Sequence, residues 1–306
     1  MPQPIGPRLA ARDAFMYAAG IGFLFLAKIK NVLQGYSTPK GFELSETDRA
    51  VAYDLKVVDE WLMHLNAYAG GKVDVLGKNV LELGPGSDLG VGIYLLSKGA
   101  AAYNACDVND LIKRAPASFY TALIERIGAL DPDVDRSFLT AQLESARNGT
   151  TSRLRTVVRD DFDLVAAFGA DSIDLVFSQA AFEHFDDVAR TVQLLTVVCK
   201  PGTTIVAEID LKTHSRWIRV KDPNNIYRYP NWLYRLFWFR GTPNRVRPYQ
   251  YKKLFEQHGW TRVSITPTEH ATGVRGESHG MDGQFRGPNN ELEYLSVVLC
   301  ATKPLL

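Results

Sequence analysis

The sequence predicts an α/β fold with a mostly parallel sheet covered by helices on both faces. From about residue 79 onward, short apolar segments that end in glycine or polar residues alternate with segments of helical periodicity. Such alternation is typical of parallel strands joined by crossover helices. The chain has 306 residues, of which 46% are hydrophobic, so it can bury a large core.

Each predicted element follows from its local pattern. The strand patterns cover residues 80–83, 100–106, 154–158, 173–177, 204–209, 261–266 and 292–301. The main helical patterns between them cover residues 89–98, 111–127, 188–199 and 249–258. Open sheets of this type bind ligands at the carboxyl ends of their strands. Polar residues that directly follow a strand are therefore the first candidates for a functional site.

Residues 1–75 are predicted to form a helical cap, and residues 76–306 the sheet domain. An uncharged apolar run at 14–27, a turn at 36–41 and a second helix at 45–69 follow each other, and Ser45 with Asp48 can begin that helix. The run has 14 residues, whereas a spanning helix needs about 20, so no membrane crossing is predicted. Lys28 and Lys30 follow the run where a secretory signal has small residues, so no export is predicted either.

The cysteine pattern predicts a reducing, cytoplasmic location. Cys106, Cys199 and Cys300 lie among apolar residues and form no C-x-x-C pair. Neither a zinc site nor a disulfide framework is therefore expected, and no metal ion is predicted.

An insert at residues 210–248 is rich in basic and aromatic residues. Between Leu211 and Phe255 the chain contains eleven basic residues, ten aromatic residues and one acid, Asp222, although the formal net charge of the whole chain is only +1. This pattern favours an anionic partner, which would be a phosphorylated or carboxylated small molecule, a nucleotide-linked or lipid-linked sugar, or a membrane surface. Nucleic acid is not favoured, because the segment carries no recognised nucleic-acid-binding motif.

The alternative for this insert is a helical subdomain with inward aromatic residues and with arginines that are solvated or paired with acids. If the insert binds substrate, the candidate contacts are Arg216, Arg219, Tyr227 and Arg228. A glycine-rich polar segment at residues 267–290 is predicted to be a long loop, either a lid or a connection.

A glycine loop follows the first predicted strand. Gly84, Pro85 and Gly86 form a turn too tight for bulky side chains, which lets a ligand approach the backbone. Asp107, just after the second strand, is placed to accept hydrogen bonds from ribose hydroxyls. Gly84, Gly86 and Gly90 also fit a loose dinucleotide pattern, so the loop alone predicts a nucleotide-type site and leaves hydride and methyl transfer open.

Four motifs in order resemble the class I S-adenosylmethionine-dependent methyltransferases. They are Glu82-Leu83-Gly84-Pro85-Gly86, Asp107, the segment IDLVFSQAAFEHFDD at residues 173–187, and Lys200-Pro201-Gly202. The resemblance implies a Rossmann-like sheet of seven strands with the last strand antiparallel, and S-adenosylmethionine as cofactor. Many members have a third glycine where this sequence has Asp88.

The resemblance also implies roles for the cofactor residues. The loop from Gly84 through Pro85 to Gly86 would lie against the methionine part, and Glu82 would hold its amino group. Asp107 would bind the ribose, and either Asp160 or Asp161 would contact the adenine. Below the sulfonium, the floor would be formed by Ser178 and Gln179.

The predicted activity is methyl transfer to a small-molecule acceptor, with a hydroxyl oxygen favoured over nitrogen. In-line transfer needs alignment and a base near the carboxyl ends of the fourth and fifth strands. The titratable candidates there are His184, Glu208, Asp210 and His214, with His214 contributed by the insert. The alternatives are a nicotinamide-dependent oxidoreductase, or a non-catalytic protein that keeps the cofactor and binds a membrane surface.

Overall fold

A computed structural model describes residues 7–35, 46–110, 115–271 and 280–305. Its helices are α1 Pro7–Gln34, α2 Thr47–Ala69, α3 Gly90–Ser97, α4 Ala117–Leu130, α5 Arg136–Arg147, α6 Leu164–Phe168, α7 Val188–Val198, α8 Arg216–Lys221, α9 Asn231–Leu236 and α10 Pro248–Gln257. Its strands are β1 Asn79–Leu83, β2 Ala102–Asp107, β3 Leu154–Val158, β4 Ile173–Gln179, β5 Cys199–Asp210, β6 Thr261–His270 and β7 Tyr294–Thr302.

The seven strands form one sheet in the order β3-β2-β1-β4-β5-β7-β6. The five strands from β3 to β5 pair in parallel, and β7 runs antiparallel to both β5 and β6. The predicted fold is confirmed, including the antiparallel last strand. The chain reverses its direction of winding between β1 and β4, which is where open sheets of this kind bind ligands.

Helices cover both faces of the sheet, so residues of the central strands alternate between two hydrophobic cores. In β1, Val80 packs into the core under α2, α3, α4 and α5, whereas Leu81 and Leu83 pack into the core under α6, α7 and α10. All three side chains are fully buried. This explains why β1 is continuously apolar rather than alternating with polar residues.

The two N-terminal helices belong to different cores. Helix α2 packs on the sheet domain through Val58 and Trp61, and Asp48 lies in its first turn as predicted. The predicted cap at Ser45 lies outside the described residues. Helix α1 instead packs against a third core, formed by the insert.

That third core also contains residues of the predicted long loop. Met281 and Phe285 are buried beside Tyr227 and Tyr229 of the insert. Strand β6 continues to His270, and short 3-10 helices occupy Gly283–Phe285 and Pro288–Asn290. The expectation of a structureless loop over 267–290 is therefore wrong for its two described ends, because apolar side chains in it anchor the backbone; residues 272–279 lie outside the described part.

Candidate active site

A cleft of ≈ 790 Å³ opens at the carboxyl ends of β1, β2 and β4. Its walls come from the sheet domain, from α2 and from the insert, and Asn31 of α1 also lines it. The cleft lies at the point where the strand order reverses. It therefore lies where the sequence predicted a nucleotide-type site.

The glycine loop forms one wall through its backbone. Gly84 and Gly86 have φ angles of +72° and +76°, which side chains disfavour. A Cβ atom on Gly84 would lie 2.6 Å from the Cβ of Ala181. The absence of a side chain is thus required both by the turn and by the close approach of the segment after β4.

Three buried carboxyl groups line the cleft beside this loop. They belong to Asp54 of α2, Glu82 of β1 and Asp88. Burial raises the pKa of Glu82 to about 8, although the Tyr103 hydroxyl donates a hydrogen bond of 2.5 Å to its Oε2 and so offsets part of the rise. None of the three carboxyl groups has an ion-pair partner within the described ranges. A cationic ligand would supply the missing charge.

Asp54 and Asp88 are close enough to perturb each other. Burial raises the pKa of both, and for Asp54 the charge of Asp88 adds to the rise. The backbone N–H of Gly90 donates to Asp88 Oδ1 at 2.8 Å, and a Cβ on Gly90 would lie 1.9 Å from Asp54 Oδ2. Gly90 therefore makes room for a carboxyl group of α2, a role that the dinucleotide pattern did not suggest.

The predicted ribose and adenine contacts also line the cleft. Burial raises the pKa of Asp107, whose Oδ1 accepts a hydrogen bond of 2.8 Å from the N–H of Asn109. Both oxygens of Asp161 bind Arg159 at 2.8 Å. Asp160 is exposed and pairs with Arg240 of the insert at 3.2 Å. The choice between Asp160 and Asp161 as the adenine contact stays open.

Of the two residues predicted to form the floor under the sulfonium, only one lines the cleft. Gln179 lines the cleft, where it accepts a hydrogen bond from Trp61 Nε1 at 3.0 Å and donates one to Glu208 Oε2 at 2.8 Å. Ser178 is fully buried, and its hydroxyl donates to the carbonyl of Leu83 at 3.1 Å. Ser178 does not line the cleft, because successive residues of a strand point to opposite faces.

Two histidines that line the cleft, His184 and His214, lie beside the buried Glu183, and we call these three residues the histidine corner. The two rings lie edge to face with centroids 4.7 Å apart. The Nδ1 atom of His184 lies 2.6 Å from the carbonyl oxygen of Gly241, and that of His214 lies 3.0 Å from the carbonyl oxygen of Lys212. Each Nδ1 therefore carries the proton, and each Nε2 keeps a free lone pair.

The protein environment keeps both rings of the histidine corner neutral. Burial lowers the pKa of His184 to about 4, and the neighbouring His214 adds to this effect. His214 exposes surface to the cleft, but the surrounding walls exclude enough water to lower its pKa as well. Burial raises the pKa of Glu183 well above its usual value.

Two other predicted bases do not line the cleft. Asp210 pairs with Arg219 at 2.6 Å and lies near Lys212, and Glu208 is occupied by Gln179. Both carboxylates already have hydrogen-bonding or ionic partners. The histidine corner therefore remains the candidate for contact with the acceptor.

The predicted substrate contacts in the insert lie away from the cleft. Arg228 is buried and pairs with Asp222 at 2.6 Å and with Asp13 of α1 at 3.0 Å. Tyr227 is buried, and its hydroxyl donates to the carbonyl of Leu211 at 2.8 Å. Arg219 pairs with Asp210. The expectation that Arg219, Tyr227 and Arg228 contact the substrate is therefore wrong. The described residues say nothing of the Arg216 side chain.

The insert instead uses its basic residues as internal hydrogen-bond donors. Arg247 is fully buried and donates to the carbonyl oxygens of Asn290 and Glu291, each at 2.7 Å. Arg245 donates to the carbonyl of Tyr229 at 2.7 Å. These contacts match the alternative of a subdomain with inward aromatic residues and paired arginines.

Sequence reasoning missed Asp54 and Arg240. Asp54 lies in a helix whose pattern showed only an apolar face, and Arg240 lies in an insert with no motif. The sequence does contain a signal for Asp54, because an acidic residue on the buried side of a helix is unusual and marks a candidate functional residue. Only the tertiary structure shows which wall of the cleft Arg240 joins.

A family model for the methyltransferase domain matches residues 53–265. The chain belongs to the methyltransferase-domain family. It is an S-adenosylmethionine-dependent methyltransferase with a Rossmann-like sheet, as the order of its motifs implied. A search of curated proteins returned no match.

Solved structures similar to this methyltransferase share low sequence identity with it. The CurJ carbon methyltransferase is 15% identical over 99% of this chain and 72% of its own, with a TM-score of 0.47. An S-adenosylmethionine-dependent methyltransferase described as hypothetical, from Listeria monocytogenes, is 16% identical over 83% and 98%, with a TM-score of 0.44. Phosphoethanolamine N-methyltransferase 2 of Haemonchus contortus, crystallised with S-adenosyl-L-methionine, is 12% identical over 94% and 57%, with a TM-score of 0.41.

The charge of the cleft agrees with this cofactor and not with a nicotinamide dinucleotide. Eight carboxylate side chains and two arginines line it. S-adenosylmethionine carries a sulfonium and an ammonium, whereas a dinucleotide carries a pyrophosphate that buried carboxylates would repel. The acids at the cleft are Asp54, Glu82, Asp88, Asp107, Asp160, Asp161, Asp186 and Asp187.

Proposed function

We propose that this methyltransferase transfers the methyl group to a hydroxyl oxygen of a small amphipathic acceptor at a membrane surface. The observation that carries the choice of oxygen is the histidine corner, which presents two Nε2 lone pairs to the cleft. A hydroxyl is a poor nucleophile until its proton is drawn away, so an acceptor oxygen requires such groups.

The reaction balances without a further co-reactant. The acceptor oxygen attacks the methyl carbon in line with the sulfur, the carbon–sulfur bond breaks, and the sulfonium becomes a neutral thioether. The hydroxyl proton leaves towards the histidine corner. The role of Glu82, Asp107 and the glycine loop is to hold the cofactor so that its methyl group faces this corner.

The membrane part of the proposal rests on an exposed apolar surface, which we call the apolar face. It is formed by α1 and by the insert beside it. Helix α1 is the single candidate in the described ranges that is long and apolar enough to cross a membrane, and 11% of its apolar window is buried. The exposed residues are Phe15, Phe25, Leu26, Ile29, Val32 and Leu33 of α1 and Trp217, Val220, Trp232, Leu236 and Trp238 of the insert.

Hydrogen bonds from the insert fix the orientation of α1, so that the exposed apolar residues of α1 face away from the protein. Asn225 Nδ2 donates to the carbonyl of Met16 at 2.9 Å, and the Tyr229 hydroxyl donates to that of Tyr17 at 3.2 Å. On the other side, Trp217 stacks on Phe23 with ring centroids 5.8 Å apart. The apolar face is therefore continuous between helix and insert, and it is larger than isolated surface hydrophobic residues require.

The composition of the apolar face fits a bilayer interface with anionic headgroups. Tryptophan side chains prefer the headgroup region of a bilayer, and lysine and arginine side chains around an apolar surface bind anionic headgroups. Lys28 joins the two parts through the carbonyl of Leu236 at 2.6 Å. Asn31, in the same helix, lines the cleft. The cleft therefore opens beside the apolar face, so an acceptor with a lipid tail is the class that reaches it from the bilayer.

Two measurements test the proposed function. Purified protein is incubated with methyl-labelled S-adenosylmethionine and a chloroform–methanol extract of total lipids. Label is expected in the organic phase as an alkali-stable methyl ether. His214→Ala is expected to lose most of this activity, whereas His258→Ala keeps it, because His258 contacts the carbonyl of Leu254 outside the cleft. Label in N-methyl groups, in esters or only in water-soluble products overturns the acceptor assignment.

Vesicle binding tests the membrane surface independently. Sedimentation with phosphatidylglycerol vesicles is expected to exceed that with phosphatidylcholine. A Val32→Ser, Leu33→Ser, Trp232→Ser variant should lose at least ten-fold in vesicle affinity and keep its cofactor affinity. Leu130→Ser is the control, because Leu130 is an exposed apolar residue on α4, outside the apolar face. Equal binding by the wild type and the triple variant contradicts the proposal.

A further inference from the structure

We propose that Glu183, His184 and His214 bind a divalent transition-metal ion at the acceptor end of the cleft. One potential ligand atom from each residue lies within 4.8 Å of the other two. Among the residues that the structure describes, no other three His, Cys, Asp or Glu side chains bring potential ligand atoms this close together. Three further observations support a metal site over a chance cluster.

The first observation is the isolation of Glu183. Its side chain is 2% exposed, and no side chain of the described residues donates a hydrogen bond to either carboxylate oxygen. The donors that face the carboxylate are the backbone N–H groups of Glu183 itself and of Asp210. No lysine or arginine of the described ranges forms an ion pair with it. A protonated carboxyl would not remove the problem, because its O–H would also need an acceptor. A cation beside the carboxylate supplies the partner that such a buried group requires.

The second observation is the orientation of the two imidazole rings. In metal sites, a ligating histidine almost always donates its other ring N–H to a carbonyl or carboxylate, which fixes the tautomer. His184 makes this contact with Gly241, and His214 makes it with Lys212. In both rings the nitrogen that remains is Nε2, and its lone pair is free to bind a metal.

The third observation is that the ligands come from two structural elements that are distant in sequence. Glu183 and His184 belong to the 3-10 helix Phe182–His184 after β4, which the backbone N–H of Asn244 fixes by donating to the Glu183 carbonyl at 2.7 Å. His214 follows β5 and is exposed to the cleft. Metal sites of this type gather ligands that are distant in sequence, which explains why no local motif predicted one.

The distances require a small closure. Two ligands on one tetrahedral zinc ion, each about 2.0–2.2 Å from it, lie about 3.3–3.6 Å apart. The longest of the present separations, which all lie within 4.8 Å, therefore needs to shorten by up to about 1.5 Å. His214, at the cleft surface, is the residue with room to move.

The ligand set selects the class of ion. Two imidazole nitrogens with one carboxylate suit Zn²⁺, Fe²⁺ or Co²⁺, whereas Mg²⁺ prefers oxygen ligands. Three protein ligands leave at least one position open towards the cleft, as in catalytic sites. This proposal departs from the expectation from sequence that no metal ion is bound, and the binding experiment below decides between the two.

The role of the ion, but not its binding, rests on the proposed function. With the ion bound, the two Nε2 atoms hold the metal, and the acceptor hydroxyl binds at the open position. The ion lowers the pKa of that hydroxyl, and its proton passes to water before the methyl group is transferred. The histidines are then ligands rather than direct bases.

Cobalt binding to the full chain tests the site without any need for an acceptor. The protein is stripped with EDTA, dialysed and titrated with Co²⁺, whose visible absorption reports ligand type, and Zn²⁺ is then used in competition. We expect one ion per chain. His214→Ala and Glu183→Gln should weaken binding at least ten-fold. His258→Ala should leave it unchanged, because that half-buried histidine lies outside the corner.

The results separate the two proposals. Absence of stoichiometric Co²⁺ binding, or wild-type affinity in His214→Ala, overturns the metal site. If Glu183→Gln fails to fold, the exposed His214 still decides the matter, and cofactor binding measured in parallel shows which variants are folded. If one Co²⁺ binds at the histidine corner but no methyl ether forms, the metal-site proposal stands and the acceptor assignment is refuted. If the protein binds no Co²⁺ and forms methyl ether at an unchanged rate after EDTA treatment, the metal site is refuted and the acceptor assignment is supported.

Discussion

Replacement of Glu82 by glutamine should abolish a proton release that accompanies cofactor binding. Burial raises the pKa of Glu82 to about 8, so at pH 7 roughly nine of ten free molecules carry a protonated carboxyl. The ammonium of the cofactor favours the ionised form, because opposite charges attract strongly in a buried site. Binding should therefore release about 0.9 proton at pH 7 and about 0.1 at pH 9.

Calorimetry in phosphate and in Tris buffers measures this number, because the observed enthalpy then depends on the ionisation enthalpy of the buffer. Glu82→Gln should lose the proton release and bind more weakly by about ten-fold or more. Tyr103→Phe is the informative control. The Tyr103 hydroxyl stabilises the ionised form of Glu82, so its loss should move the pH at which protons are released upward. Equal proton release by wild type and Glu82→Gln would refute the reasoning.

The same pKa shift predicts how stability depends on pH. A carboxyl whose pKa is raised on folding stabilises the free protein below its unfolded pKa, and this contribution is lost as the pH rises through the folded pKa. For Glu82 the loss falls between about pH 4.5 and pH 8. The urea midpoint of the cofactor-free wild type should fall across this range, and that of Glu82→Gln should fall less.

Three further substitutions have defined outcomes. Gly84→Ala adds a Cβ 2.6 Å from Ala181 at a φ of +72°, so cofactor affinity measured by calorimetry should drop at least ten-fold; an unchanged affinity would show that the loop does not meet the ligand. Trp61→Phe removes the N–H donated to Gln179 and should lower the free energy of unfolding in urea by about 1–3 kcal/mol. Arg228→Met leaves Asp222 buried without its partner and should cost about 3–5 kcal/mol, seen as faster tryptic release of α1; wild-type resistance would contradict that.

Local patterns were sufficient for the elements of the sheet. The predicted strand at 173–177 became Ile173–Gln179, and the helix at 188–199 became Val188–Val198. The helix Arg136–Arg147 was not predicted, because only Leu139 and Leu143 of it are buried. Most of its residues are polar, so few apolar residues mark its buried side. The Lys200-Pro201-Gly202 motif lies inside β5.

The insert shows where pattern reasoning ends. Its basic residues suggested contact with an anionic acceptor, but a charge in the sequence does not show whether its partner is a ligand or another part of the chain. Arg228 and Arg247 bind inside the protein. The acidic residues that set the character of the cleft come from α2, β1 and β2 and from the loops after β1, β3 and β4, which are separate in sequence.

The sequence by itself determined the alternation of strands and helices, the glycine loop and the acid at 107, because each depends on neighbours a few residues away. These patterns predicted the fold, and the resemblance of the ordered motifs to class I methyltransferases implied the cofactor. Only the tertiary structure decided which side chains share the cleft. Contacts between Asp54 and Asp88, or between His184 and His214, join segments that are distant along the chain, and they depend on how helices and insert pack on the sheet.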